Sequence, residues 1–171
     1  METERRQSGS SERTVAIVAG EASGDLHGSM LVNEMKALDP NVTFFGIGGD
    51  GMREAGVELL AHASDLAVVG VTEVLSRLPG ILGARKAFKE FLCRKRPDLL
   101  VLIDYPDFNM PLARYAGKLG IPVFYYISPQ VWAWRKNRIY FLEKYVDGMA
   151  VILPFEEEVY RSTSLDVRFV G

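Results

Sequence analysis

The sequence predicts a doubly wound α/β domain with a mostly parallel sheet, and three observations lead there. Short apolar, β-branched runs alternate along the chain with longer helical patterns. The runs are apolar nearly throughout, as strands buried on both faces are. The 171 residues, 48% hydrophobic and 25% charged, are ordinary globular usage and enough for one domain with a proper core, though thin for two.

Each element has its own signal. Thr14–Ala19 reads as a buried strand, followed by a helix over Asp25–Leu38 with Leu31, Met35 and Leu38 on one face. Val42–Ile47 is a second strand, ending in the turn-rich Gly48-Gly49-Asp50-Gly51. A short helix ends near Gly56, and Val57–Leu60 is the next strand. Leu99–Ile103 is a clear strand entered through Pro97, and Phe108–Leu119 is a helix stopped by Gly120. Pro122–Ile127, Met149–Leu153 and Val167–Val170 complete the strands, with helices over Arg138–Tyr145 and Phe155–Arg161. Residues Met1–Arg13 are polar and mixed in charge, which predicts a disordered lead-in; they lack the apolar core of a secretory signal or anchor. Gly171 follows a strand directly, so more protein is expected beyond it.

Composition narrows the function. A formal charge of −2 with dispersed Lys and Arg gives no footprint for nucleic acid. The single cysteine, Cys93, precludes an intrachain disulfide and fits a reducing compartment. The most apolar stretch, Leu66–Leu82, is interrupted by Glu73 and Arg77 and falls short of a membrane span. His27 and His62 are isolated, and no spacing matches a metal site or a Ser-centred nucleophile elbow.

In open parallel sheets, ligands sit beyond the C-terminal ends of the strands. Four segments merit attention. The first is Gly20-Glu21-Ala22-Ser23-Gly24-Asp25. Its glycines permit close backbone approach, and the following helix N-terminus suits phosphate or hydroxyl oxygens. It is neither a Walker A loop nor G-x-G-x-x-G, which argues against ATP and NAD. Ser23 or Asp25 can equally be a simple helix cap, worth ~1 kcal/mol. Glu21 has no such structural role to fill.

The second is Asp104-Tyr105-Pro106-Asp107-Phe108-Asn109. Asp107 is a candidate general base, and by spacing alone it is just as good an N-cap for the helix at Phe108. Asp104 and Asp107 are one residue too far apart for a D-x-D metal motif. The third segment, Ser128 to Arg138, carries Trp132, Trp134 and Arg135, which suit a sugar face or a phosphate and would serve a lobe interface as well. In the fourth, Val71, Val74, Leu75, Leu78, Ile81 and Leu82 form one apolar helix face, with Pro79 expected to kink or break it. Such a face covers its own sheet or dips into a membrane surface, with Arg77, Arg85, Lys86 and Lys89 drawn to anionic lipid.

Five segments in order resemble the lipid-A-disaccharide synthase family: Val18–Asp25, Val69–Leu75, Ile103–Asn109, Ser128–Arg135 and Leu153–Glu156. The resemblance covers nearly the whole chain after Thr14. It implies a GT-B-type glycosyltransferase with two Rossmann-like lobes, of which residues 14–171 are the N-terminal, acceptor-side half and the donor-binding domain is absent from this chain. It implies transfer from UDP-2,3-diacylglucosamine to 2,3-diacylglucosamine 1-phosphate, with inversion, release of UDP, and neither metal nor cofactor. In it Asp107 matches the family's candidate base. Gly20, Glu21, Ser23, Gly24, Asp104, Asn109, Ser128, Trp132 and Arg135 fall among substrate-binding positions, and Val68, Val69, Val71, Val74, Leu75 and Leu78 in a membrane-docking patch. The implied location is cytoplasmic, peripheral on the cytoplasmic face of the inner membrane. With half the cleft absent, the chain alone is expected to be inactive. Two other classes compete: a non-catalytic lipid-binding module at the membrane surface, and a sugar-nucleotide epimerase, for which the apolar helix and Trp132-Ala133-Trp134 have no use.

Overall fold

The computed structural model describes residues 12–66, 71–130 and 137–171; for 71–78 and Asn137 it describes the backbone only. In chain order the elements are β1 (Arg13–Ala19), α1 (Ala22–Leu38), β2 (Val42–Gly48), α2 (Asp50–Glu54), β3 (Val57–His62), a 3₁₀ turn (Ala63–Asp65), α3 (Val71–Lys95), β4 (Leu99–Ile103), α4 (Pro106–Lys118), β5 (Val123–Tyr126), α5 (Asn137–Tyr145), β6 (Gly148–Val151), α6 (Glu156–Tyr160) and β7 (Asp166–Phe169). The strands form one sheet in the order β3-β2-β1-β4-β5-β6-β7, and every pair is parallel.

Alternation along each strand explains the two cores. Ala16, Val18, Leu100, Leu102, Val123 and Tyr125 point to one face, where Phe88, Phe91 and Leu92 of α3, Leu112 and Ala116 of α4 and Leu142 of α5 cover them. Val15, Ile17, Ala19, Val101 and Ile103 point to the other, under Val32 of α1 and Met52 of α2. Burial on both sides is why β1 from Val15 onward and all of β4 are apolar. The chain leaves β1 toward β2 and β3, then returns to β4 on β1's other side, so the order reverses between β1 and β4. A crevice opens at such a reversal, beyond the strand ends. Ala19 pairs with Ile103, and Ile103 with Tyr126, so Gly20, Asp104 and Ile127 emerge in one row.

Three local expectations change. Helix α1 starts at Ala22, with Glu21 as an extended N-cap whose side chain caps nothing. Neither Ser23 nor Asp25 is the cap. Helix α4 starts at Pro106, a residue pre-shaped for a first helical turn, and Tyr105 is its N-cap. Asp107 therefore sits inside the first turn and is not the N-cap. Helix α3 continues through Pro79 to Lys95, so the proline does not break it. A mid-helix proline costs ~3 kcal/mol. Buried Phe88, Phe91 and Leu92 contribute ~1.5–3 kcal/mol each, which outweighs it.

Candidate functional site

The row at the head of the sheet borders two hollows that meet at the first turn of α1. One, of about 390 Å³, is lined by Ser23, Gly24, His27, Asp104, Pro106, Ile127, Ser128, Gln130, Ile152, Leu153 and Glu156. The other, of about 380 Å³, is lined by Gly20, Glu21, Ala22, Asp25, Gly49, Asp50, His62, Ala63 and Ser64.

The floor of the first hollow is strained. Asp104 and Tyr105 both have φ +43°, and Ile127 has φ +66°. Left-handed backbone at residues with a Cβ costs of order 1–3 kcal/mol each and needs support from its surroundings. Support is present. The Tyr125 hydroxyl donates to the Asp104 carbonyl at 2.6 Å. The Asn109 amide donates to the carbonyls of Ile103 and Asp104 at 3.1 and 2.8 Å. Backbone N–H groups of Asp104 and Ile127 donate to Tyr126 and Ala150. The Tyr105 ring stacks on Phe108, and its hydroxyl donates to the Leu66 carbonyl at 3.4 Å. Gly20 has no side chain because none fits: a Cβ there would lie 2.2 Å from the Tyr105 ring.

This scaffold leaves the Asp104 carboxyl half-buried at the crevice. Burial raises its pKa above the usual carboxylate value, and the nearby Glu21 charge raises it further, against a lowering hydrogen bond from the Tyr105 backbone. Burial also raises the Tyr105 phenol, with Glu21 and Asp107 adding to the effect. Glu21 itself is exposed. Asp107, in the first turn of α4, is 78% exposed and forms an ion pair with the largely covered Arg138 of α5.

The remaining expected residues divide by burial. Asn109 is fully buried and supports the floor from beneath, so it does not face the crevice. Ser128 lines the crevice with its hydroxyl tied to that of Tyr160. Burial pushes the Tyr160 phenol up to about 12, despite that bond. Gly24 lies against Ala19 and Ile103, and Ser23 stands exposed at the rim. Trp132, Arg135, Val68 and Val69 lie outside the described residues, as do the side chains of Val71, Val74, Leu75 and Leu78. Glu156 was missed: it is 2% exposed, lines the crevice and accepts a bond from the Leu153 N–H. The strand-end rule would have found it, as a carboxylate just past β6. His27, isolated in the sequence, stands edge-on to Tyr126 and lines the same hollow.

Asp25 does something different from capping its own helix. Its carboxylate accepts from the N–H groups of Gly49 (2.7 Å), Gly51 (3.0 Å) and Met52 (3.0 Å). It thereby holds the N-terminus of α2, where three donors lack helical partners. Among the described residues, no group of three or more His, Cys, Asp or Glu side chains is placed to hold a metal ion, and no helix is long and apolar enough to cross a membrane.

A parallel sheet with helices on both faces and a polar crevice at its reversal point is a Rossmann-like lobe. A UGT transferase from Siraitia grosvenorii, solved in complex with UDP, superposes with a TM-score of 0.55 over 92% of this chain and 50% of that one, at 11% identity. The chain belongs to the lipid-A-disaccharide synthetase family, whose model matches residues 15–171. Lipid-A-disaccharide synthase of Syntrophus aciditrophicus is 60% identical over 93% of the chain, and that of Geobacter sulfurreducens 55% over 92%. The chain spans about two-fifths of these relatives' length, 42% and 41%.

Proposed function

We propose that this chain is the acceptor-side lobe of a lipid-A-disaccharide synthase, and that Asp104 is its general base. The acceptor is 2,3-diacylglucosamine 1-phosphate, and the donor is UDP-2,3-diacylglucosamine, whose UDP part is held by a second lobe outside these 171 residues. The acceptor hydroxyl attacks the donor's anomeric carbon from the face opposite UDP. Its proton passes to a carboxylate, the new C–O bond forms, and the bond to UDP breaks with its electron pair. Transfer from this lobe alone is expected to be negligible, because positioning both substrates is worth ~7–11 kcal/mol.

The observation that carries the assignment is the contrast between the two aspartates. A base works best when its proton affinity approaches the operating pH. Asp104 is half-buried at the crevice with a raised pKa. Asp107, the base implied by family resemblance, is exposed and ion-paired with Arg138. Its role in this proposal is to fix α5 against α4. The apolar residues between Leu66 and Leu82 rest the lobe on the cytoplasmic face of the inner membrane, where both acylated substrates reside. Leu82, half-exposed on α3, supports that contact.

The test uses full-length enzyme with both substrates in detergent. Asp104→Asn should lower kcat by roughly 10²–10⁴-fold with the fold intact. Asp107→Asn should lower it less than about tenfold, as expected for loss of an exposed ion pair. The reverse ranking would return the base to Asp107, and turnover indifferent to both would remove acid–base catalysis from this lobe.

A further inference from the structure

A second groove lies away from the strand ends, on the outer surface of α3, α4 and α5. It encloses about 480 Å³ and is lined by Lys89 of α3, Met110, Pro111, Arg114, Tyr115 and Lys118 of α4, and Phe141 of α5. Its composition is one-sided. Three cations rim it, and Arg85 stands one turn before Lys89 on α3. Four acids belong to the three helices, and none of those described neutralises the groove. Glu143 is bonded to the Ser164 N–H and hydroxyl. Asp107 is paired with Arg138. Glu90 makes no ion pair with a groove cation. Glu73 lies in the part of α3 described by backbone alone.

Packing like charges together costs energy that a fold does not need. Lys89 lies over the Tyr115 ring, 5.3 Å from its centroid, which fixes the ammonium at the groove wall instead of letting it swing into solvent. Its pKa is lowered by burial first and then by repulsion from Arg85 and Lys118. The groove is thus a pocket of positive potential with an apolar floor, and its natural occupant is an anion with several acceptor oxygens.

We infer that the α3–α4–α5 groove is a binding site for a phosphate group, held by Lys89, Arg114 and Lys118 and separate from the catalytic crevice. Phosphate suits three cations arriving from two helices better than a carboxylate, because its oxygens spread over a tetrahedron. Two sources carry this chemistry: a phospholipid headgroup at a membrane surface, and free phosphate in solution.

The experiment has two arms on the chain as it stands. One measures sedimentation with vesicles of phosphatidylglycerol mixed into phosphatidylcholine, against phosphatidylcholine alone. The other follows the backbone amides of Lys89, Tyr115 and Lys118 by NMR during titration with inorganic phosphate. Both compare the parent, the Lys89→Gln/Arg114→Gln/Lys118→Gln variant, and a control with equal charge loss elsewhere, Arg53→Gln/Arg161→Gln/Arg168→Gln. Affinity for phosphatidylglycerol vesicles should fall by roughly a hundredfold in the groove variant, since each cation near an anionic surface contributes about fivefold. It should fall far less in the control. A groove-dependent loss on vesicles without amide shifts in phosphate identifies a headgroup site; saturable shifts that vanish in the groove variant identify a site for free phosphate. If the groove variant and the control match in both arms, the inference is overturned, and near-UV circular dichroism of the variants excludes unfolding as the cause.

Discussion

Asp25 and Asp104 stand at neighbouring points of the crevice, Asp25 in the helix after β1 and Asp104 directly after β4, yet they do opposite work. Asp25 spends its carboxylate on the N–H groups of Gly49, Gly51 and Met52 and leaves little for a ligand. Asp104 has its backbone held by Tyr125 and Asn109, which leaves its carboxyl turned to the hollow. The difference teaches that a carboxylate's role here depends on which partners the rest of the chain delivers. Carboxylates with several backbone donors build the site; one kept partly desolvated and turned to the hollow, as Asp104 is, is available for chemistry.

The largest effect on folding should come from Asp25. Asp25→Ala removes three charge-assisted bonds and should destabilise the chain by about 3 kcal/mol in urea unfolding, with α2 loosening first in hydrogen exchange. A loss below about 1 kcal/mol would mean that water replaces the carboxylate and that the contrast with Asp104 is weak. Gly20→Ala comes next. Its Cβ must displace the Tyr105 ring from Phe108, an overpacking cost of about 1–3 kcal/mol, and the turn carrying Asp104 should shift with it. If stability falls while Asp104 keeps its function, the two turns are less coupled than their contact implies.

The smallest effect is the most diagnostic. Asp104 has a raised folded-state pKa, so it binds its proton more tightly folded than unfolded. Its favourable contribution is complete below the unfolded value near 3.8 and is lost as pH rises through the higher folded value. At neutral pH the ionised group therefore costs stability. Asp104→Asn should be more stable than the parent at pH 7, with the gain shrinking as pH falls toward 3.8. A gain independent of pH would place its origin in the strained turn and not in the charge.

Much of the fold was legible because the information is local. Leu99–Ile103 is apolar at every position, and Gly120 ends its helix within a residue or two of the expected place. The start of α1 was misjudged for the opposite reason: Asp25 resembles a cap until its partners 24 to 27 residues onward are known. Asp107 had a usable signal. Pro106 favours the first helical position, which puts Asp107 inside the helix and not at its cap. The family resemblance places Asn109 among substrate-binding positions, and polar residues past a strand usually face the crevice. Only the left-handed backbone at Asp104 and Tyr105, which needs carbonyl partners, turns its amide inward. Nothing in sequence spacing reveals that conformation.

The contact between Gly20 and the Tyr105 ring also has an evolutionary meaning. The two residues belong to turns 85 positions apart, and each occupies the space the other would need. A larger residue at 20 is tolerable only beside a smaller one at 105, and that exchange would unstack Phe108 and free the turn that presents Asp104. Drift at either position is thus selected jointly. Homologues should vary there as a pair or not at all, so a designer retuning this crevice inherits one compound choice instead of two separate ones.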